Sequence, residues 1–240
     1  MTNTLYKTDY DEAVDILSEV FHYDEDSGTV FEEGVLDDSD FEWHCGASKV
    51  VIVLEDCVLK TSYIGWSWYN EETCEDEVSD DFPDYAKMEY QLYQAAEDVG
   101  VDYFFTETKE VAPSIYEQQK VDFSVSDYVG GYDRKLPITY KFESIYGRQI
   151  NPPQFILNCE GLHSYCKKHG LKDLVGRIKP DVLGYFLATY SHEALYDLQQ
   201  FLAEYDINDI RAGNCGWING ELKIFDFCGF KTETEKILSK

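Results

Sequence analysis

Hydrophobic residues recur with two different spacings along this chain, and each spacing predicts a different kind of element. Apolar residues three and four positions apart predict a short amphipathic helix over 9–21 and a longer helix over 85–99. Runs rich in β-branched and aromatic residues predict strands, and Glu55-Asp56 between two of these runs predicts a hairpin. The predicted strands cover 49–54, 57–60, 101–106 and 114–121.

The remainder of the chain changes in composition twice. Residues 70–84 form an acidic run, for which we expect a solvated loop. Residues 128–153 contain clustered glycines and prolines, which predict a loop-rich connection. Beyond it the apolar spacing is helical, and Ser191 is a suitable N-cap for the last helix. The predicted helices cover 155–168, about 180–189 and 191–204.

The order of these elements fits a two-lobed α+β protein. Strands with one helix come first, helices follow, and a hairpin closes the chain. We expect a β-rich N-lobe over 1–121 and a helical C-lobe over 122–240.

Composition and charge narrow the possible functions. The chain has 240 residues and a formal net charge of −27. This charge argues against nucleic-acid and anionic-membrane binding, which require basic surfaces. It permits attraction to a basic protein partner, but the favoured interpretation is that it simply keeps the protein in solution. No apolar run is long enough to span a membrane, and the N-terminus is acidic where a signal peptide is basic. We therefore expect a cytoplasmic protein, and the sequence gives no indication of an oligomeric state.

The residues that suggest chemistry lie within 205–230. Asn219-Gly220 is the strongest short hairpin signal, and folding about it brings Asn214 and Asp226 together at the open end. An amide oxygen beside a carboxylate suits Mg²⁺. A second carboxylate, Asp209, precedes the hairpin and could orient a hydroxyl nucleophile and accept its proton. The alternative interpretation is that these residues are ordinary turn-formers at loop ends.

The segment DIRAGNCGWINGELKIFDF, residues 209–227, resembles the catalytic loop and metal-binding motif of protein kinases. In its short spacing the segment resembles the motif of compact phage-type protein kinases with a shortened C-lobe. The resemblance implies a two-lobed protein-kinase-like fold with a truncated helical C-lobe. It also implies an ATP- and Mg²⁺-dependent phosphotransferase acting on protein Ser/Thr hydroxyls, with Asp209 as catalytic base and Asn214 and Asp226 as magnesium ligands.

The same resemblance implies a strand lysine that reaches the nucleotide phosphates and a helix glutamate that holds it. Lys60, which ends a β-rich run, is the candidate lysine. Glu89 in the predicted helix is the candidate partner, and Glu97 near the end of that helix is the alternative. Gly46 and Ser48 are the candidates for the loop that covers the phosphates.

The chain departs from the protein-kinase pattern at four places. It has no G-x-G-x-x-G loop, it has Ile207 and Asn208 where His-Arg precedes the catalytic aspartate, and Cys228 replaces the glycine of Asp-Phe-Gly. Only 14 residues follow Asp226, where a protein kinase continues with an activation segment and substrate-binding helices. The absent glycine loop, the short C-terminus and the net charge of −27 support a second hypothesis. It is a catalytically weak or inactive kinase-like acidic protein that binds and inhibits a basic host partner.

Overall fold

The structure is a computed structural model that describes residues 8–19, 36, 39–45, 48–63, 66–70, 75–79, 83–122, 137–151, 158–208 and 210–228. Within them the protein is a mixed α+β structure with antiparallel strands, which confirms the predicted class. The described strands are β1 (Glu42–Cys45), β2 (Lys49–Val53), β3 (Cys57–Ser62), β4 (Trp66–Asn70), β5 (Glu75–Ser79), β6 (Thr108–Ala112), β7 (Ile115–Gln119), β8 (Cys215–Ile218) and β9 (Glu221–Ile224). The described helices are α1 (Asp9–Glu19), α2 (Tyr85–Val99), α3 (Ile138–Tyr146), α4 (Cys159–Lys168), α5 (Leu174–Arg177), α6 (Pro180–Thr189) and α7 (His192–Glu204).

The chain divides into two compact units. The first comprises Met1–Gln91 and Glu107–Lys120, and the second comprises Leu92–Thr106 and Val121–Lys240. The division after Lys120 lies beside the boundary predicted between 121 and 122. The segment Leu92–Thr106 belongs to the second unit although it precedes that boundary.

In the first unit, β1, β2, β3, β7 and β6 form one antiparallel sheet in that order. β2 and β3 form the predicted hairpin, with Val53 opposite Val58. Side chains alternate between the two faces of a strand. One face of this sheet carries the apolar residues Val50, Ile52, Leu59 and Ile115 together with Glu117, whereas Lys49 and Lys60 lie on the other face. The apolar face packs against α1, and its buried cluster consists of Ala13, Leu17, Leu36, Val50, Ile52, Leu59 and Ile115.

In the second unit, helices and aromatic rings form the core. Gly184 of α6 lies directly against Ile138 of α3, which allows the two helices to approach closely. Phe142 of α3 stacks on Tyr185 of α6 with ring centroids 5.5 Å apart. Trp217 of β8 meets Tyr185 edge-on at 5.4 Å, so the β8–β9 hairpin is packed onto this helical core.

Several predicted elements are confirmed. The helices predicted over 85–99 and about 180–189 correspond to α2 and α6. Ser191 caps α7 as predicted, since its side chain accepts a hydrogen bond from Ala194 N at 3.1 Å. The strand predicted over 114–121 corresponds to β7, whereas its neighbour β6 was not predicted.

The loop-rich connection predicted over 128–153 is wrong where α3 lies. Pro137 occupies the N-cap position, and Gly147, with a φ of 62°, ends the helix in the left-handed conformation. Proline near the start and glycine just past the end are residues that helix termini favour. Pro137 and Gly147 therefore mark the two ends of α3.

Two other predictions are also wrong. The loop predicted over 70–84 contains β5, which pairs with β4. The paired backbone forms a ladder despite the low strand propensity of this acidic segment, because context outweighs intrinsic propensity in strands. The strand predicted over 101–106 is instead a 3-10 turn, Asp102–Phe104, followed by a single bridge between Phe105 and Ile224. Its apolar run reflects the burial of Phe104 and Phe105.

None of the described helices is long and apolar enough to cross a membrane.

Candidate functional site

A buried glutamate in the first unit binds two lysines. Lys60 Nζ lies 3.3 Å from Glu89 Oε2. The ammonium group of Lys49 donates a hydrogen bond to Oε1 of the same carboxylate. Relative exposure is 0% for Glu89, 5% for Lys60 and 7% for Lys49. Each carboxylate oxygen therefore has an ammonium partner at a position that excludes nearly all solvent.

Strand pairing places the two lysines on one face of the sheet. Lys60 of β3 lies opposite Val51 of β2. Lys49 is two residues before Val51, and side chains two residues apart share a face. Leu59, next to Lys60, lies on the opposite face in the cluster that packs against α1. The alternation along β2 and β3 thus separates the ionic face from the apolar face.

Hydrogen bonds join the end of β3 to the start of α2 and thereby place Glu89. Ser62 Oγ donates to Asp84 Oδ1 at 2.8 Å and accepts from Ala86 N at 2.7 Å. Asp84 also accepts from Lys87 N at 2.9 Å, which caps the first turn of the helix. Glu89 follows about one turn later, on the helix that is tied to the strand of its lysine partner.

The structure thus brings Lys60 and Glu89 together, as the sequence predicts for a phosphate-binding lysine and its partner. Glu97, the alternative partner, is exposed near the end of α2. Lys49 was missed by sequence reasoning. Its signal is visible only once the β2–β3 register is known, because that register puts Lys49 on the face of Lys60.

Ser48 and Gly46 were predicted to cover the phosphates. Ser48 is buried, with 8% exposure, and its carbonyl oxygen accepts a hydrogen bond from Tyr63 N at 3.1 Å. Gly46 lies outside the described residues. Ser48 directly precedes Lys49, so this part of the predicted loop adjoins the buried ion pairs in sequence.

In the second unit, the β8–β9 hairpin has the predicted turn. Asn219 and Gly220 have φ values of 51° and 87°. Positive φ at both central residues is the requirement that favours Asn-Gly in a two-residue hairpin. At the open end, Phe225 N donates to Asn214 O at 2.9 Å. This bond places Asn214 and Asp226 at the same end of the hairpin.

Backbone hydrogen bonds anchor both strands of this hairpin within the second unit. Ile224 O of β9 accepts from Thr106 N at 2.9 Å. Asp122 N donates to Trp217 O of β8 at 2.8 Å, and Trp217 N donates to Asp122 O at 3.0 Å. The hairpin that follows Asn214 is therefore attached to two other segments of the chain.

Asp209, the predicted catalytic base, lies outside the described residues, but the residues beside it are described. Ile207 and Ile210 are buried, with exposures of 2% and 0%. Ile210 N donates to Arg177 O at 3.0 Å, and Lys179 N donates to Ile210 O at 2.8 Å. The segments before and after Asp209 are thus held by burial and by the connection between α5 and α6.

The Asn214–Asp226 pair offers one amide oxygen and one carboxylate. These hard oxygen donors fit Mg²⁺, which keeps several waters and takes phosphate oxygens alongside few protein ligands. Among the described residues, no group of three or more His, Cys, Asp or Glu side chains is placed to hold a metal ion.

Cys215, which follows Asn214, is unsuited to thiolate chemistry. Burial raises the pKa of its thiol well above the ordinary value, and the charge of Asp181 raises it further. A thiol must lose its proton to act as a nucleophile or metal ligand. Cys215 therefore packs as a small neutral side chain beside the candidate magnesium ligands.

No family model, curated protein or solved structure matches this chain. The motif in 205–230 and the geometry of the two groups of residues described above are therefore what indicates a function.

Proposed function

We propose that this protein is an ATP- and magnesium-dependent phosphotransferase with a two-lobed protein-kinase-like fold and a truncated helical C-lobe. Its proposed acceptors are Ser/Thr hydroxyls of proteins. The observation that carries the proposal is the buried ion pair between Lys60 of β3 and Glu89 of α2. A strand lysine held by a helix glutamate is the arrangement that a kinase uses to contact nucleotide phosphates.

In this mechanism Lys60 contacts the nucleotide phosphates. Glu89 holds the Lys60 ammonium group at one position, so that less side-chain entropy is lost when the nucleotide arrives. The ammonium group then neutralises charge on the phosphate oxygens. Burial of Lys60 and Glu89 lowers the local dielectric, which strengthens each of these interactions relative to water.

Asp209, Asn214 and Asp226 are the groups proposed to act in phosphoryl transfer. Asn214 and Asp226 would hold Mg²⁺, which supplies charge neutralisation at the phosphates when bound. The carboxylate of Asp209 orients the acceptor hydroxyl and accepts its proton. The hydroxyl oxygen forms a bond to the γ-phosphorus, the bond from that phosphorus to the bridging oxygen breaks, and ADP leaves with the electron pair.

Transfer of phosphate from γ-labelled ATP to the protein itself and to a mixed-sequence basic protein tests the proposal. We expect Asp209→Asn and Asp226→Asn each to reduce transfer by about 10²-fold or more. Asp56→Asn is the matched control, since Asp56 is an exposed carboxylate in the turn between β2 and β3. Transfer that persists unchanged in both site variants contradicts the proposal.

A second candidate function is an acidic protein that uses a kinase-like scaffold to bind a basic protein partner. The net charge of −27 favours it, since such a field attracts a basic surface. Thermal unfolding with Mg²⁺-ATP distinguishes the two functions. A nucleotide at 100 times its dissociation constant stabilises the folded protein against unfolding by about 2.7 kcal/mol. Absence of any shift at millimolar Mg²⁺-ATP favours the binding protein, whose complex should then weaken steeply with added salt.

A further inference from the structure

We propose that Arg177, from helix α5, is the positioning residue for Asp209. In the protein-kinase pattern a His-Arg pair directly precedes the catalytic aspartate, and this chain has Ile207 and Asn208 there. Arg177 contributes side-chain contacts to this segment from elsewhere in the second unit. The inference rests on the proposed function, since it gives Arg177 a role in the same reaction.

The guanidinium group of Arg177 contacts each of the three residues that precede Asp209. Its Nη1 donates to Asp206 Oδ1 at 3.1 Å and to Ile207 O at 3.0 Å, and it lies 3.5 Å from Asn208 Oδ1. The pair with Asp206 is a charge-assisted contact between side chains that are 18% and 35% exposed. The Arg177 guanidinium group therefore contacts a carboxylate, a carbonyl and an amide oxygen of this segment.

The segment also has an internal hydrogen-bonded turn. Asp206 has a φ of 49°, in the left-handed region that aspartate tolerates better than most residues. Asn208 Nδ2 donates to Asp206 O at 2.6 Å and to Asp206 Oδ1 at 3.1 Å. Asp206 Oδ1 thus accepts from both Asn208 and Arg177, which connects the turn to α5.

The residue after Asp209 is attached to the same part of α5. Ile210 N donates to Arg177 O at 3.0 Å, and Ile178 and Ile210 form a parallel bridge. Ile178 and Ile210 are both buried, with exposures of 1% and 0%. The backbone of Arg177 therefore holds the segment after Asp209, while its side chain holds the segment before it.

Fixing both flanks matters because catalysis is sensitive to small displacements. A misplacement of about 1 Å at a reacting group can cost about 10²-fold in rate. Removing the guanidinium group would release the preceding segment while leaving the backbone bonds at Ile210 intact. Arg177 contacts neither nucleotide nor acceptor in this proposal, so its loss should lower kcat and leave the affinity for Mg²⁺-ATP unchanged.

The experiment compares Arg177→Met and Arg177→Lys with Arg148→Met as control. Arg148 belongs to the same unit, where its guanidinium carbon lies 3.9 Å from the centroid of the Trp217 ring. We expect kcat to fall about 10²-fold in Arg177→Met, to recover in part in Arg177→Lys, and to stay near the wild-type value in Arg148→Met. The dissociation constant of Mg²⁺-ATP, measured by thermal shift, should be unchanged in all three variants.

Amide hydrogen exchange of peptides covering 205–211 is the second measurement, and it does not depend on activity. Arg177→Met should exchange faster there while the β8–β9 hairpin keeps its protection. Unchanged exchange, or a kcat equal to that of the wild type, overturns the inference. A wild-type protein that binds no Mg²⁺-ATP and transfers no phosphate contradicts the proposed function itself. Faster exchange in that case would show that Arg177 has a structural role only, which also overturns the inference.

Discussion

Replacing Glu89 by glutamine removes a carboxylate that Lys49 and Lys60 share in the interior of the first unit. Glutamine keeps nearly the same shape and an acceptor oxygen, so the main change is the loss of one negative charge. The two lysines then remain buried, at 7% and 5% exposure, beside a neutral side chain. Removal of one partner from a buried ion pair is strongly destabilising, because the charge that remains is still desolvated.

The expected size of this effect follows from the geometry. At the 3.3 Å separation of Lys60 Nζ and Glu89 Oε2, two unit charges attract by about 5 kcal/mol at an effective dielectric constant of about 20. Measured costs of breaking buried pairs are about 3–5 kcal/mol. We therefore expect Glu89→Gln to lower the free energy of unfolding of the first unit by about 3–5 kcal/mol.

The assay must report on the first unit, because two compact units need not unfold together. Amide exchange of the β2 and β3 peptides in native buffer gives their opening free energy directly. Glu97→Gln is the matched control, since Glu97 is an exposed glutamate of the same helix. Its effect should stay within about 0.5 kcal/mol of the wild type.

Two results would refute this reasoning. One is a cost below about 1 kcal/mol for Glu89→Gln, which would mean that the carboxylate does not hold the two lysines in a desolvated site. The other is an equal cost in Glu97→Gln. A triple variant that adds Lys49→Met and Lys60→Met should be more stable than Glu89→Gln alone, because it removes the buried charges together with their partner.

Two further predictions concern other parts of the fold. Gly184→Ala should destabilise the second unit by about 1–3 kcal/mol in urea unfolding, because an added Cβ would overlap a side-chain methyl of α3. Gly176→Ala, where nothing lies within 4 Å of the added carbon, should be neutral or stabilising, and equal effects would contradict this interpretation. Burial raises the pKa of Glu117, but hydrogen bonds from Lys109 and Tyr10 outweigh it and leave the pKa below its usual value. A lowered pKa in the folded state stabilises above the unfolded pKa, and this stability is lost as the pH falls through the folded pKa. Melting temperatures between neutral pH and about pH 3 should therefore fall more steeply in the wild type than in Glu117→Gln, and parallel curves would contradict the assignment.

The sequence by itself determined the elements whose signals are local. The helix over 85–99, the Ser191 cap and the Asn219-Gly220 turn were all predicted correctly. Helical periodicity, a capping hydroxyl and a turn that needs positive φ each act through residues a few positions apart. The strand lysine and the helix glutamate could likewise be nominated from their order along the chain.

Tertiary structure decided the features that depend on distant partners. β5 is a strand because β4 pairs with it, and its own acidic residues do not indicate one. Pro137 and Gly147 were interpreted as loop residues, although they mark the ends of α3. Breakers at helix ends and breakers within loops look alike until the segment between them is packed.

The candidate sites show the same limit. Lys49 meets Glu89 only because the β2–β3 register and the anchoring of α2 bring their side chains together. Arg177 reaches Ile207 across 30 residues of sequence, and no local pattern specifies that contact. Residue types and their order nominate the chemistry of a site, whereas the partners that hold its side chains are selected by packing between segments far apart in the chain.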